Sequence, residues 1–366
     1  MMQTDILKGP DAFFLGAGTP GGFYSLFDEL YTPEDGWRLY IVKGGPGTGK
    51  STLMKRVAAA AERRGLYCER IYCSSDPDSL DGVIVPGLKC SIADGTSPHV
   101  LEPKYPGVSE TLVDLGQFRD DGELVPHADA VIRLTKENAA EHKKCAAFLK
   151  AAAAAEKEIA AAAEDALDET KLNVLANKLI AGELRAAGSH RGRVKRRFLS
   201  ALTPKGITTF YNSLFNICER TVVLEDDTGA AAAALMARLS GAATDAGYDV
   251  ISCPSFLAPE KGAFHLLVPA RRLAFFTASR RQPFAGEAER TVKCAGLFAP
   301  GALQKHKNRF AFSRKASAEL LAEALTHMQT AKALHDELER YYIDAMDFEA
   351  MRVFSAAFTE KIFEKI

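Results

Sequence analysis

Long apolar runs are missing from this chain. No stretch of 18 or more strongly apolar residues occurs in its 366 positions, which argues against a membrane-spanning helix. Residues 1–10 hold no basic segment followed by an apolar run, so no secretory leader is expected and a cytoplasmic protein without a membrane partner is. An excess of one charge is missing too. The 46 Lys and Arg against 47 Asp and Glu leave a formal net charge of -1, which removes the overall basic field of a dedicated nucleic-acid binder. Paired cysteines are also lacking: the seven, at 68, 73, 90, 145, 218, 253 and 294, form no C-x-x-C and have no His at metal-ligand spacing. That excludes a disulfide framework or a zinc module and leaves reduced core thiols. Disorder is excluded by a composition 47% hydrophobic and 25% charged, and the length suffices for two domains.

What the chain does have is Gly44-Gly45-Pro46-Gly47-Thr48-Gly49-Lys50-Ser51-Thr52, which fits the phosphate-binding pattern G-x-x-x-x-G-K-[ST]. Its surroundings fit as well. Leu39, Tyr40, Ile41 and Val42 read as a strand buried on both faces. Leu53, Val57, Ala58 and Ala61 then recur at helical spacing up to Gly65, a left-handed cap. Glycines let backbone N–H groups close around phosphate oxygens at the positive end of a helix. Lys50 is expected to reach the β- and γ-phosphates, and the Ser51 hydroxyl to take one position around Mg²⁺. A plain glycine turn has no use for a lysine and a serine at these offsets.

A two-fold repeat is legible within the chain. Phe14-Leu15-Gly16-Ala17-Gly18-Thr19-Pro20-Gly21-Gly22 recurs as Phe198-Leu199-Ser200-Ala201-Leu202-Thr203-Pro204-Lys205-Gly206. Thr48-Gly49 then pairs with Thr228-Gly229, Gly65-Leu66 with Gly247-Tyr248, Cys73 with Cys253, and Val85-Pro86 with Val268-Pro269. The second copy has lost the phosphate chemistry: Glu225-Asp226-Asp227-Thr228-Gly229-Ala230-Ala231 puts alanines where Lys50 and Ser51 stand and carboxylates where an anion would enter. Asp94 closes a strand-like run from Leu88 and has Thr277 as its counterpart. The joint loss of lysine and carboxylate assigns Asp94 to the metal side, holding Mg²⁺ through water, with a turn cap at Asp94-Gly95-Thr96 as the other reading.

Weaker signals surround these. The polar stretch from Cys73 to Gly82 offers Asp76 or Asp78 to orient water or a substrate hydroxyl, or merely as caps. His99 and Glu102 are candidates for sensing the γ-phosphate, though a lone His after a turn more often lies on the surface. Segments 135–187 and roughly 313–342 are helix-forming appendages, one per copy, expected to pack on each other, to form a dimer contact or, as a sharper reading, to cover the substrate. Arg191, Arg193, Lys195, Arg196 and Arg197 read as a solvated linker that could alternatively contact RNA, an acidic partner or the nucleotide, or lend an arginine to the first copy's site, as could Arg271, Arg272, Arg280 and Arg281.

The chain resembles a family of bacterial tandem P-loop proteins described as ATPases or nucleotide-kinase-like. The resemblance rests on Phe13 to Ala17 with Thr19-Pro20, on Gly44 to Thr52, on Cys73-Ser74-Ser75-Asp76 with Ser79-Leu80-Asp81-Gly82, and on Asp94-Gly95-Thr96 with Pro98-His99. It implies a P-loop fold and ATP binding, and implies no substrate; an intact second loop occurs in that family, from which 225–231 departs. The expectation is therefore an α/β protein of tandem duplicated P-loop NTPase-like domains, mostly parallel sheets flanked by helices, with long helical additions. Residues 1–190 form the intact copy and 191–366 the degenerate one. Mg²⁺-dependent ATP hydrolysis is the leading function; a nucleotide or small-metabolite kinase and a non-enzymatic ATP-gated switch are the alternatives.

Overall fold

The computed structural model describes residues 10–185, 188 and 190–364. Residues 1–9 and the end of the helical segment expected to run to 187 lie outside them. The chain begins with β1 (Asp11–Phe13), the hairpin β2 (Gly16–Thr19) and β3 (Gly22–Ser25), β4 (Arg38–Lys43), α1 (Lys50–Arg63), β5 (Glu69–Tyr72), β6 (Leu80–Val85), β7 (Cys90–Asp94) and β8 (Glu110–Asp114). The short α2 (Asp121–Leu124) leads into the long α3 (Ala128–Glu164) and α4 (Glu169–Glu183). The second part runs β9 (Val194–Arg196), hairpin β10 (Ser200–Thr203) and β11 (Gly206–Thr209), α5 (Tyr211–Ile217), β12 (Arg220–Glu225) and α6 (Ala230–Asp245). It continues with β13 (Val250–Cys253), β14 (His265–Val268), β15 (Leu273–Ala278), β16 (Arg290–Lys293), α7 (Lys307–Asp344) and α8 (Phe348–Phe363).

Two six-stranded mixed sheets result, ordered β1-β5-β6-β7-β4-β8 and β9-β13-β14-β15-β12-β16. Each is parallel except at its third strand, β6 or β14, which is antiparallel to both neighbours. The apolar run 39–42 makes β4 a central strand, and its register sets Val42 beside Asp94. In the other sheet Leu224 stands beside Thr277. Helix α1 buries Leu53, Met54, Val57, Ala58, Ala60 and Ala61 on its sheet, then ends at Gly65, whose φ of 71° only a residue free of Cβ strain adopts readily. Phe14 and Phe198 exchange both backbone hydrogen bonds, at 3.0 and 2.9 Å, so the start of one repeated string is stitched to the start of the other.

The helical segments differ from the expectation in length and in attachment. The first starts at Ala128 rather than near 135 and folds back as α4; the second continues past 342 and gains α8, whose N-terminus is capped by the Asp347 carboxylate accepting from the Ala350 N–H at 2.9 Å. Helices α3 and α7 pack antiparallel along their length, tied by Asn138 to the Ala331 carbonyl and by Ser317 to Glu156. Their ends cross over. Helix α4 lies on α6, with Arg238 to Glu169, whereas α8 lies on α1, with Arg64 to Glu360 at 2.8 Å. The α3–α4 turn bonds the segment after β16 (Asp168 N–H to the Leu297 carbonyl), and the α7–α8 turn bonds the segment after β8 (Asp347 N–H to the Phe118 carbonyl). Each arm therefore covers the α/β unit that the other half of the chain supplies.

The basic run 191–197 is solvated at Arg191, Arg193 and Lys195 but is more than a linker. Three of its residues form the edge strand β9, parallel to β13. Arg197 is buried and pairs with buried Glu69 of the first sheet at 3.0 Å, an ion pair whose removal on one side would leave an uncompensated interior charge. All seven cysteines are free, and six are buried. No helix among the described residues is long and apolar enough to cross a membrane.

Candidate functional site

The site grows from the carboxyl edge of the first sheet, where the parallel strands β4, β5 and β7 end and the loop 44–49 turns into α1. Three glycines of that loop have positive φ: Gly44 at 154°, Gly47 at 68° and Gly49, the residue before the helix, at 86°. Only glycine takes these values without strain, which lets the loop curl into the start of α1. Thr48, fully buried, locks the curl by donating its hydroxyl to the Gly45 carbonyl at 2.9 Å.

Lys50 is folded over the loop. Its ammonium donates to the carbonyls of Gly44 (3.2 Å) and Gly45 (2.6 Å) and lies 3.6 Å from the Asp94 carboxylate, with both side chains mostly buried. Asp94 ends β7 and also accepts the Thr96 N–H (2.8 Å) and hydroxyl (2.6 Å), the bonds of the turn-cap reading. The Ser51 hydroxyl accepts the Leu80 N–H at 2.9 Å, which fixes it at the first turn of α1. Pro46 and Thr52 complete the stretch on either side of the helix start.

Two further groups belong here. Asp81 on β6 and His99, each about 6% exposed, join Asp94 so that one donor atom from each lies within 4.8 Å of the others. The surface position expected for His99 is wrong: Phe27 stacks on its ring at 4.5 Å and Phe23 tilts against it, and the enclosed Nδ1 has no partner among the described residues. Burial pushes the imidazole down to about 4, against the pull of Asp94, so it is neutral near pH 7. Burial, followed by the charge of Asp94, pushes the Asp81 carboxyl well above the usual carboxylate range, against hydrogen bonding from Cys73. The cluster offers two carboxylates and one imidazole, donors suited to a divalent cation; the carboxylates and the Ser51 hydroxyl are the hard oxygens that Mg²⁺ takes, whereas an imidazole suits a softer metal.

The remaining candidates are placed less centrally. Asp76 accepts the Ser79 hydroxyl at 2.6 Å and faces Lys332 of α7 at 3.5 Å. Asp78 is exposed and paired with Lys205 of the β10–β11 hairpin, which lowers its pKa. Glu102 pairs with Lys43 at 2.6 Å, itself bonded to the Gly95 and Leu101 carbonyls, and so braces the strand beside the site. The arginines proposed to reach across do not complete it: Arg271 holds the Glu183 carbonyl, Arg272 pairs with Glu219, Arg280 with Asp227 and Arg281 with Glu156. Lys332 and Lys205 are cations that the second half brings to this region, at Asp76 and Asp78.

The same half also roofs the loop. The Glu339 carboxylate of α7 accepts the Gly47 N–H at 3.1 Å. A Cβ on Gly45 would sit 2.6 Å from the Tyr342 ring, one on Gly47 would sit 2.9 Å from Ile343, and Met351 of α8 closes over Gly49. The packing of the arm thus requires all three glycines, and at Gly47 and Gly49 the dihedral angles require glycine as well.

No protein-family model, curated protein or solved structure matches the chain.

At the matching edge of the second sheet the chemistry is different. Gly229, φ 76°, again precedes a helix, but Asp226 fills the turn: its carboxylate accepts the Thr228 N–H and hydroxyl (2.8 and 2.6 Å) and the Ala232 N–H (2.9 Å). An internal carboxylate thereby takes up N–H groups at the positive end of α6. A cleft of about 1000 Å³ opens beside this turn, between Asp227, Phe284 and Lys307.

Proposed function

We propose that the chain is an ATP-binding P-loop NTPase built from two duplicated α/β copies, the first hydrolysing ATP with Mg²⁺ and the second a pseudo-site. The observation that carries this reading is the convergence of Lys50 and Asp94, 3.6 Å apart, on a glycine loop of positive φ that opens α1 at the ends of parallel strands. The common strand order of the two sheets, and Thr277 standing where Asp94 does, support the duplication.

In this reading the N–H groups of Gly45 and of Gly47 to Lys50 cradle the phosphates. Lys50 leaves the Gly44 and Gly45 carbonyls and binds the β- and γ-phosphate oxygens. Ser51 and Asp94 would hold Mg²⁺, which screens the phosphate charge. Water attacks the γ-phosphorus, the bond to the bridging oxygen breaks, and ADP and phosphate leave as the water's proton passes to solvent. Burial raises the Asp81 carboxyl well above the usual carboxylate range and so favours its uncharged form, which lessens the negative charge that faces the phosphates beside Asp94.

An ATP-gated switch is the second reading, favoured by the arm resting on the loop. A kinase differs in needing an acceptor. ADP production from MgATP, alone and with a panel of nucleosides, nucleotides and sugars, tests all three. Turnover abolished in both Lys50→Ala and Asp94→Asn supports the NTPase, stimulation by an acceptor supports the kinase, and binding without turnover supports the switch.

A further inference from the structure

We infer that Glu339 is a built-in stand-in for a phosphate group, and that nucleotide enters the glycine loop by displacing it together with the C-terminal end of α7. This regulation rests on reading the loop as a nucleotide site. Four observations carry it.

The carboxylate does to the loop what a phosphate oxygen does, accepting the Gly47 N–H at 3.1 Å from a residue 292 positions away. It is kept charged for that role: the His335 ring one turn earlier, 3.4 Å away, is the first cause that holds its carboxyl below the usual range, and the Gly47 N–H and Lys332 act in the same direction. Lys50 meanwhile is stowed on the Gly44 and Gly45 carbonyls, a position incompatible with a phosphate grip. Finally, Tyr342 rests on Gly45 and Ile343 on Gly47, so the approach is covered by side chains of the same helix, and freeing the N–H alone does not open it.

Phosphate and Glu339 therefore exclude each other on charge as well as on space. Helix α7 runs on from Glu339 into the turn at Ala345 and Asp347, which is held to Phe118 and Asp120 by two backbone bonds of 2.8 Å. Those bonds define where a displaced arm pivots or lets go. Because α7 and α8 belong to the second half of the chain, nucleotide binding in the first half is read out as movement of the second.

The test uses the full chain, with MgATP as the probe and Kd read by calorimetry, on wild type, Glu339→Gln and Glu339→Ala. Glutamine keeps the shape and removes the charge, and Glu339 is a partly exposed helical residue, so both variants are expected to melt as wild type does. The expected result is MgATP binding about tenfold tighter in both variants, the size of effect that losing one charge-assisted hydrogen bond gives. Hydrogen exchange of residues 339–351 in wild type is expected to speed up when MgATP is added. If wild type binds MgATP and the variants bind equally or more weakly, the stand-in is overturned while the nucleotide reading survives. If exchange at 339–351 slows instead, displacement of the arm is overturned. If wild type fails to bind detectably and Glu339→Gln binds, both readings are supported; if no form binds, both fall.

Discussion

His265 and His99 are neutral for related reasons and have different consequences. His265 lies on β14, fully buried and stacked on Phe276 at 4.0 Å, and its Nδ1 accepts the Thr277 N–H at 3.2 Å. Burial alone pushes it down to about 3. In the native protein it therefore stays unprotonated between about pH 3 and 6.5, while the unfolded chain takes up a proton below about 6.5. The unfolded state binds more protons in that window, so stability falls as pH falls, by about 2 kcal/mol at pH 5 from this residue. Urea unfolding of His265→Leu is expected to lose that much less than wild type between pH 7 and 5; equal losses in the two proteins would refute it. His99 adds the same sign between 6.5 and about 4. Asp81, raised by burial, has the opposite one, since its native carboxyl keeps a proton that the unfolded chain gives up.

Single residues also mark the limit of what the sequence discloses. Lys50, Ser51 and Asp94 are legible because a local pattern places them: a loop that opens a helix, and a carboxylate at the end of an apolar strand. Asp81 is not, although it has a signal in retrospect, a lone carboxylate in the wholly buried strand LDGVIV. His99 is hidden because its enclosure comes from Phe23 and Phe27, more than 70 positions away. Glu339 is harder still, since one more acid on a charged helix reads as a solvated face until its partner 292 residues away is known.

At the scale of elements, the glycine loop answers to two demands, and one substitution separates them. Gly45 is not among the positive-φ residues, so alanine there meets no backbone strain, and the atoms nearest its Cβ belong to the Tyr342 ring. Gly45→Ala is expected to destabilise the protein by about 1–3 kcal/mol through overpacking. In a Tyr342→Ala background the same change is expected to cost much less, a coupling that a double-mutant cycle in urea reads directly. Equal costs in both backgrounds would mean that the arm does not rest on the loop in solution. The strands and α1 follow from apolar runs and caps that lie within a few residues of each other. The arms do not: periodicity announces helices in 135–187 and 313–342, but which sheet they cover depends on the turns at 165–168 and 345–347, whose bonds reach segments far away in sequence.

At the scale of the whole molecule, the arms and the Arg197–Glu69 pair bind the halves into one folding unit. The apolar faces of α4 and α8 are buried on α6 and α1 respectively, so either half alone would expose them to water. A chain divided between residues 185 and 190 is expected to give two insoluble halves when each is expressed alone, and a soluble complex that co-purifies when they are expressed together. A monomeric, folded first half with an intact melting transition would overturn this.

The exchange of arms also bears on how such a gene can change. Residues 225–231 hold neither a lysine nor a serine, and if their half of the chain served only to bind a ligand there it would be free to decay. Deleting that half, however, would strip Tyr342, Ile343 and Met351 from Gly45, Gly47 and Gly49 and leave α1 bare along one flank. Selection on residues 44–52 would therefore extend to 339–351, which cover them from the other half of the chain.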